Sequence, residues 1–477
     1  ASWTGSAEGL PEGYFIYGIA LDPAIEGRVL VSGNDGLFES RDGGRRFGRL
    51  GLEDALVPDL LFAPLAETES DGPSRAPGIP PVYPEPPAGE EYRVADEAFA
   101  ARRAELLEHF RRQPAPADGW AGWEQAALAA RDGRGGEALW KAAAERLERP
   151  AHSMFFSMPL MGFCLHAGTA LPEDLAERIR RTMTTNPVYR GDTENHWVMH
   201  YAALLLAAER WPETPAAEWY MGRESAELHA EAKQWLMHWA RLAATRGQGE
   251  FDSPNYFFMF ATPLFLLHDF ARDPEVKRLA GMMLDLLLAD YLTESLQGAW
   301  VGGKSRVIGE EVEAGSATRV AVFHWLYAGG IPRPEAPHPW SLLAGLSGYR
   351  PPRQFPGIAG GRQVREQTER KRVRNVLRFG DELNPPVYKR CLMTPLYGLG
   401  SLQGGILQPI QQHTWDATWL GSGRNATLFT VHPSVSAREL VLFFPEEPRD
   451  IERTITRQKG SYRSEERRVG KECRSRW

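Results

Sequence analysis

The spacing of apolar and polar positions changes several times along the chain. Residues 14–50 alternate apolar and polar through YFIYGIALDP, GRVLVSGNDGLFES and RDGGRRFGRL, with turn signals between the runs. That period suits strands with one buried face, so short antiparallel strands are expected. Residues 64–92 (ETESDGPSRAPGIPPVYPEPPAGEE and its flanks) have no period and are rich in Pro, Gly, Ser and Glu. An extended linker of polyproline II character is expected there. From about residue 94 the apolar positions recur at helical spacing. ADEAFAARRAELLEHFRRQ predicts an amphipathic helix. Further helices are predicted over 122–131, 136–147, 153–167, 172–185, 193–210, 222–246, 254–271, 274–296 and 316–329. No fixed-period repeat of the tetratricopeptide or ankyrin kind is present. Residues 352–380 are basic and mixed (GRQVREQTERKRVRNVLRFG) and read as a solvated helix or bridging arm. From about residue 384 strand spacing returns in PPVYKRCLMTPLYGLGSLQGG, QQHTWDATWL, NATLFTVHP and ELVLFFPEE.

The fold class expected is multidomain and mainly α. An incomplete α/α toroid is followed by an antiparallel β-sandwich cut short by the chain end, with a short β unit at the N-terminus. The toroid is favoured over a solenoid because the polar and aromatic motifs gather at helix ends. The expected boundaries are 1–62 for the β unit, 63–93 for the linker and 94–350 for the helical domain. A basic connector at 351–383 and the sandwich at 384–462 follow. Residues 463–477 end in SEERRVGKECRSRW and read as a non-native tail. The first residues read as interior strand sequence, so a fragment is expected.

Composition narrows the classes. The chain has 477 residues, a net charge of −7 and no nucleic-acid-sized basic excess. No apolar run is long enough for a membrane helix. Cys164, Cys391 and Cys473 form neither a zinc spacing nor a disulfide framework. No cofactor motif is found: phosphate loops and nucleophile elbows are absent, and Cys164 lies in an apolar helix. Fifteen tryptophans and fourteen tyrosines suit either a large helical core or sugar-stacking platforms.

Ser40-Arg41-Asp42-Gly43-Gly44-Arg45-Arg46-Phe47 resembles the Asp-box hairpin of sialidase-like and sortilin-like propellers, with Arg46 and Phe47 in place of the usual threonine and tryptophan. The resemblance implies a structural role: the aspartate ties the turn and the ring anchors the blade. One copy covers one blade, so a remnant or appended unit is expected.

The densest chemistry lies in Asp192-Thr193-Glu194-Asn195-His196-Trp197-Val198-Met199-His200-Tyr201. A helix start needs one capping side chain, and this one carries two imidazoles, a carboxamide, two carboxylates and two rings. Asn195 is a neutral donor suited to a sugar carboxylate, and His196 suits the same task or that of a base. His200, one turn on, shares its face. His196 and His200 lack the HExxH glutamate, so no metal site is expected. Tyr256 follows Ser253-Pro254 at a helix entry, with Glu250 and Asp252 before it. Lys304 and Arg306 sit in a Gly-rich loop after Trp300, and an arginine fork grips carboxylates well.

Four segments resemble the heparinase II/III-like and alginate-lyase-like polysaccharide lyases of the α/α-toroid group. They are Thr193–Trp197, Gly249–Tyr256, Gly303–Arg306 and Gln411–Trp415. The resemblance implies a secreted or periplasmic enzyme that cleaves an anionic, uronate-containing polysaccharide by β-elimination. Asn195, His196, Tyr256 and Arg306 are then catalytic. Trp197, His200, Glu250, Asp252, Trp300, Lys304, His413 and Trp415 bind substrate. No cofactor, nucleic acid or membrane is implied; lyases of this group sometimes hold a structural metal, but none is expected here. Two other readings stay open. One is a toroid glycoside hydrolase using carboxylates among Asp192, Glu194, Glu250, Asp252, Glu310 and Glu311. The other is a non-catalytic carbohydrate-binding protein.

Overall fold

The computed structural model describes residues 8–11, 16–21, 25–33, 36–51, 93, 97–113, 121–191, 193–305, 307, 318–360, 364–372, 387–404, 415–420, 425–429, 454–459 and 462–467. The chain divides into two compact units. One is Ala1–Pro87 with Phe379–Asn384, and the other is Ala88–Arg378 with Pro385–Trp477.

The first unit contains an antiparallel sheet in the order β1 (Ile16–Leu21), β2 (Val29–Gly33), β3 (Gly36–Ser40) and β4 (Gly48–Gly51). The β3–β4 turn satisfies its own polar groups. Asp42 Oδ1 accepts the N–H groups of Arg45 and Arg46 at 3.0 Å each and the Ser40 hydroxyl at 2.7 Å. These bonds, that of the Arg46 N–H foremost, hold the Asp42 carboxyl below its usual range. Phe47 leaves the turn and packs on Val29, Val31 and Phe38. A polar turn closed by one aspartate and pinned by one ring thus holds a sheet with little core of its own.

The second unit is built on helices, and about half of the described residues are helical. They are α1 (Glu97–Arg111), α2 (Ala121–Arg131), α3 (Gly136–Arg146), α4 (Met154–Ala167), α5 (Glu173–Thr185), α6 (Glu194–Arg210), α7 (Ser225–Arg246), α8 (Phe257–Phe270) and α9 (Pro274–Thr293). After them come α10 (Ala321–Phe323), which runs into a π-turn at His324–Ala328, then α11 (Ser341–Leu346) and α12 (Phe355–Ala359). Their starts carry recognisable caps. Ser153 caps α4, Thr193 caps α6 and Asp273 caps α9 ahead of Pro274. Glu224 and Glu227 form a capping box on α7.

Apolar pattern sorts these helices into layers. α5 buries Leu175, Ile179 and Met183 on one stripe and turns its arginines outward. α4 and α8 are apolar on nearly all sides, which suits only a surrounded helix. Accordingly α2, α4, α6 and α8 pack side by side in that order, and α11 packs on both α8 and α2. α3, α5, α7 and α9 cover α2, α4, α6 and α8 respectively. Much of the aromatic load is core. Tyr201, Trp235, Trp239 and Phe260 stack in a column with centroid spacings of 4.8, 6.3 and 6.0 Å. Among the described residues no helix is long and apolar enough to cross a membrane.

A two-stranded turn, β5 (Ser295–Leu296) and β6 (Ala299–Trp300), follows α9. A five-stranded antiparallel meander comes later: β7 (Arg365–Lys371), β8 (Val387–Met393), β9 (Tyr397–Gly404), β10 (Trp415–Leu420) and β11 (Asn425–Phe429). A hairpin of β12 (Thr454–Lys459) and β13 (Tyr462–Arg467) crosses residue 463, the point where a tail is expected from sequence. The expected linker at 64–92 and strand at 439–447 lie outside the described residues. The loop after β6 runs directly against the sheet. A Cβ on Gly302 (φ +91°) would stand 3.0 Å from Gly400 Cα and 2.8 Å from Lys389 Cε.

The segment 351–383 corrects the sequence reading. Its composition reads as a solvated helix or bridging arm, but after the short α12 it contains β7, paired residue for residue with β8. Along β7 the more buried positions are Arg365, Gln367, Glu369 and Lys371, every second residue. The period is therefore that of a strand, but polar side chains fill the inward positions. Each finds a partner. Arg365 donates to the carbonyls of Ile358 and Thr293, Gln367 to Glu294, and Lys371 to Asp252.

Candidate functional site

The start of α6 and the loop before α8 are bound together by their own carboxylates. Glu194 Oε2 accepts the N–H groups of Gly249 at 2.7 Å and Glu250 at 3.2 Å. Glu194 Oε1 accepts Trp239 Nε1 at 2.8 Å and Arg372 at 2.7 Å. In return, Glu250 Oε2 accepts the backbone N–H of Asn195 at 3.1 Å and also its side-chain amide. Each segment thus sends a carboxylate into the other's N–H groups. A carboxylate at a helix N-terminus meets donors that have no helical partner, so the arrangement is favourable without a cation for every charge.

This exchange fixes where the expected site residues lie. Asn195 is fully buried. Its second amide hydrogen goes to Thr193 Oγ1 at 2.9 Å, so both its donors are committed. Asn195 therefore offers no donor to a ligand and acts as a positioning residue, which revises the carboxylate-neutralising role expected for it. Glu250 and Asp252 are buried as well. His196 and Trp197 are half-buried on the first turn of α6, and Asn255 and Tyr256 are half-buried at the entry to α8. The His196 ring meets Phe155 edge-on at 5.1 Å. Arg190 lies 4.6 Å over the Trp197 ring, next to the exposed Tyr189. His200 is a core residue, and burial depresses its pKa to about 4. Trp300 is buried with its Nε1 on Glu294 at 3.0 Å, so it is not a stacking platform. Lys304 is buried and paired with Asp416 at 2.7 Å, and Trp415 is buried beside it in sequence on β10. Both therefore hold the sheet rather than a ligand. Arg306 and His413 lie outside the described residues, as do Asp192, Glu310 and Glu311.

No family model, curated protein or solved structure matches the chain. The functional reading rests on residue geometry.

A second charged cluster, not anticipated from sequence, lies between the same loop, α9 and the sheet. Lys389, with no exposed surface, donates to Asp252 Oδ2 at 2.9 Å and to Glu294 Oε2. Lys371 donates to Asp252 Oδ1 at 3.1 Å and pairs with Glu369 at 2.7 Å and Asp290 at 3.4 Å. Asp252 holds φ +53°, a strained backbone for a residue with a Cβ, and two ammonium groups bind it there. Four carboxylates thus face two lysines. Burial would raise the Asp252 pKa, but Lys371 and Lys389 outweigh it and keep the group ionised. For Glu294 burial wins. Its pKa rises to about 7, with Asp252 adding to the rise and Lys389 opposing it. Burial likewise pushes Asp290 to about 6. Burial thus favours the protonated form of these two groups more than in water. Among the described residues no group of acids, histidines and cysteines could hold a metal ion.

A signal for this cluster exists in the sequence. In Val387-Tyr388-Lys389-Arg390-Cys391, Lys389 falls in phase with Val387 and Cys391, and all three are buried. A lysine in the inward register of a strand needs a buried acid opposite it.

Proposed function

We propose that this chain is a polysaccharide lyase that cleaves a uronate-containing glycan by β-elimination outside the cytoplasm. In this reading the two helical layers are an incomplete α/α toroid and the meander is part of a β-sandwich. The observation that carries it is the carboxylate exchange between Glu194 and Glu250. It makes one rigid unit of the α6 start and the α8 entry, the two segments that present His196 and Tyr256 at partly open positions. β-Elimination needs a base for the C5 proton and an acid for the leaving glycosidic oxygen. An imidazole and a phenol on a fixed frame suit those tasks, and Trp197 and Tyr189 suit the flat faces of sugar rings.

The hydrolase reading is weaker on the same ground. It needs two available carboxyl groups at a defined separation. Of its six candidates, Glu194 and Asp252 are buried and committed to N–H donors or lysines, Glu250 is buried and bound to Asn195, and Asp192, Glu310 and Glu311 lie outside the described residues. The test is a screen of alginate, pectate, heparan and chondroitin chains, read by the ultraviolet absorbance of the unsaturated uronide. Tyr256→Phe should lower turnover by about 10²-fold or more while glycan binding persists. New reducing ends without new absorbance would establish hydrolysis instead. Binding with neither product would leave a carbohydrate-binding protein.

A further inference from the structure

On the side of the helical layers where α1 meets α2 and α11 there is a groove of about 540 Å³. Its walls are Phe99, Ala104 and Leu107 of α1 together with three arginines, Arg103, Arg131 and Arg350. That volume lies within the range of small-molecule sites. Arg103 donates to the carbonyls of Gly345 at 2.7 Å and Leu346 at 3.3 Å. Arg131 donates to the same Leu346 carbonyl at 2.6 Å. The last carbonyls of α11 therefore draw two guanidinium groups to one point. Neither has a carboxylate partner among the described residues. Burial lowers the pKa of Arg103, and the charge of Arg131 lowers it further, so the pair is mutually repulsive. The carboxylate whose field reaches Arg103, Asp269, is already taken by the Gly348 N–H and by His268. A third polar group nearby lacks a hydrogen-bond partner among the described residues. The Tyr327 hydroxyl is buried without a hydrogen bond, and its ring stacks on Phe99 with centroids 6.0 Å apart.

We propose that this groove binds a carboxylate carried on an apolar body. The planar arginine fork matches a carboxylate, and an anion here relieves the repulsion between Arg103 and Arg131. The apolar wall from α1 then receives the rest of the molecule. A bare, strongly hydrated anion would leave that wall wet and gain only the charge term. The inference stands apart from the lyase reading, since none of the α6 or α8 entry residues lines this groove.

The experiment is calorimetric titration of the whole chain with octanoate, 1-octanol, acetate and inorganic phosphate at physiological salt. Octanoate should bind at least tenfold more tightly than the other three. Arg131→Gln and Leu107→Asp should each weaken octanoate about tenfold, the loss expected for one charge-assisted contact or one introduced repulsion. Arg103→Gln should do the same, and Arg131 and Leu107 keep the test decisive if that variant fails to fold. Equal binding of octanoate and octanol would reduce the groove to an apolar patch. Equal binding of phosphate and octanoate would reduce it to unspecific charge. Octanoate binding that survives all three substitutions would place the ligand elsewhere. Each of these results overturns the proposal.

Discussion

One short loop, residues 247–256, is held by two clusters that solve the burial of acids in opposite ways. At its first end Glu194 and Glu250 are satisfied mainly by N–H groups, of the loop and of the α6 N-terminus. Those donors are fixed by the backbone and carry no titrating charge of their own. A few residues on, Asp252 is satisfied by two lysines that also serve Glu294, Asp290 and Glu369. There the acids outnumber the cations, and burial raises the pKa of Glu294 and Asp290. Carboxylates bound by the backbone give fixed geometry. Carboxylates bound by shared ammonium groups give a network in which each member depends on the rest.

The largest expected effect separates the two halves directly. Lys389→Met should remove the shared cation and leave Asp252 and Glu294 buried without it. A buried ion pair broken on one side costs about 3–5 kcal/mol, measured as a lower midpoint in urea unfolding. Adding Glu294→Gln should recover part of the loss. A Lys389→Met protein as stable as the parent would show that the network is not closed in solution.

A smaller effect is expected at the backbone-bound half. Glu194→Gln keeps one acceptor oxygen but turns amide hydrogens toward N–H donors and leaves Arg372 without its charge partner. The cost should be about 1–3 kcal/mol. Exchange of the Gly249 and Glu250 amides with deuterium should accelerate, while the β7–β8 amides stay protected. Equal acceleration in both places would mean that the two anchors open as one.

The smallest effect sharpens the contrast through pH. Glu294 at about 7 and Asp290 at about 6 both lie above their unfolded values. The folded state therefore binds more protons than the unfolded state between roughly pH 4 and 7. The stability they contribute is complete below the unfolded pKa and is lost as pH rises through the folded one. The slope is about 1.4 kcal/mol per pH unit for each proton held. Asp252 works the other way, contributing above its unfolded pKa and losing that contribution in acid. The parent should therefore lose more stability than Glu294→Gln between pH 6 and pH 8, read as the difference between their unfolding midpoints, because the buried His200, whose folded pKa lies at about 4, works in the opposite sense in both proteins. An unchanged slope in Glu294→Gln would assign the protons to another group.

Element type was legible where the period was clear. α5, α6 and α9 stand where the helical spacing of apolar positions predicts them. β8 to β11 stand where strand spacing returns after residue 384. β7 was not legible as a strand, because a period of two made of Arg, Gln, Glu and Lys has the composition of a solvated helix. Only the acids of α9 and of the 247–256 loop, distant in sequence, make such a strand stable.

The Asn195 neighbourhood divides along the same line. Sequence alone grouped Asn195, His196, Glu250 and Tyr256 with Arg306 in one candidate site, because polar groups crowd the helix entries more than capping requires, and Arg306 lies outside the described residues. Which of them face inward was decided by the tertiary structure. Helix spacing orders side chains around one axis, but it does not say what stands opposite. Glu250 arrived against the N–H groups of α6 and drew Asn195 into the core, and His196 and Tyr256 stayed half-buried. Local period and caps are properties of adjacent residues and can be read in one dimension. Burial of charge depends on a partner brought from 50 to 180 positions away, such as Glu250 for Asn195 or Arg372 for Glu194, and exists only once the chain has folded.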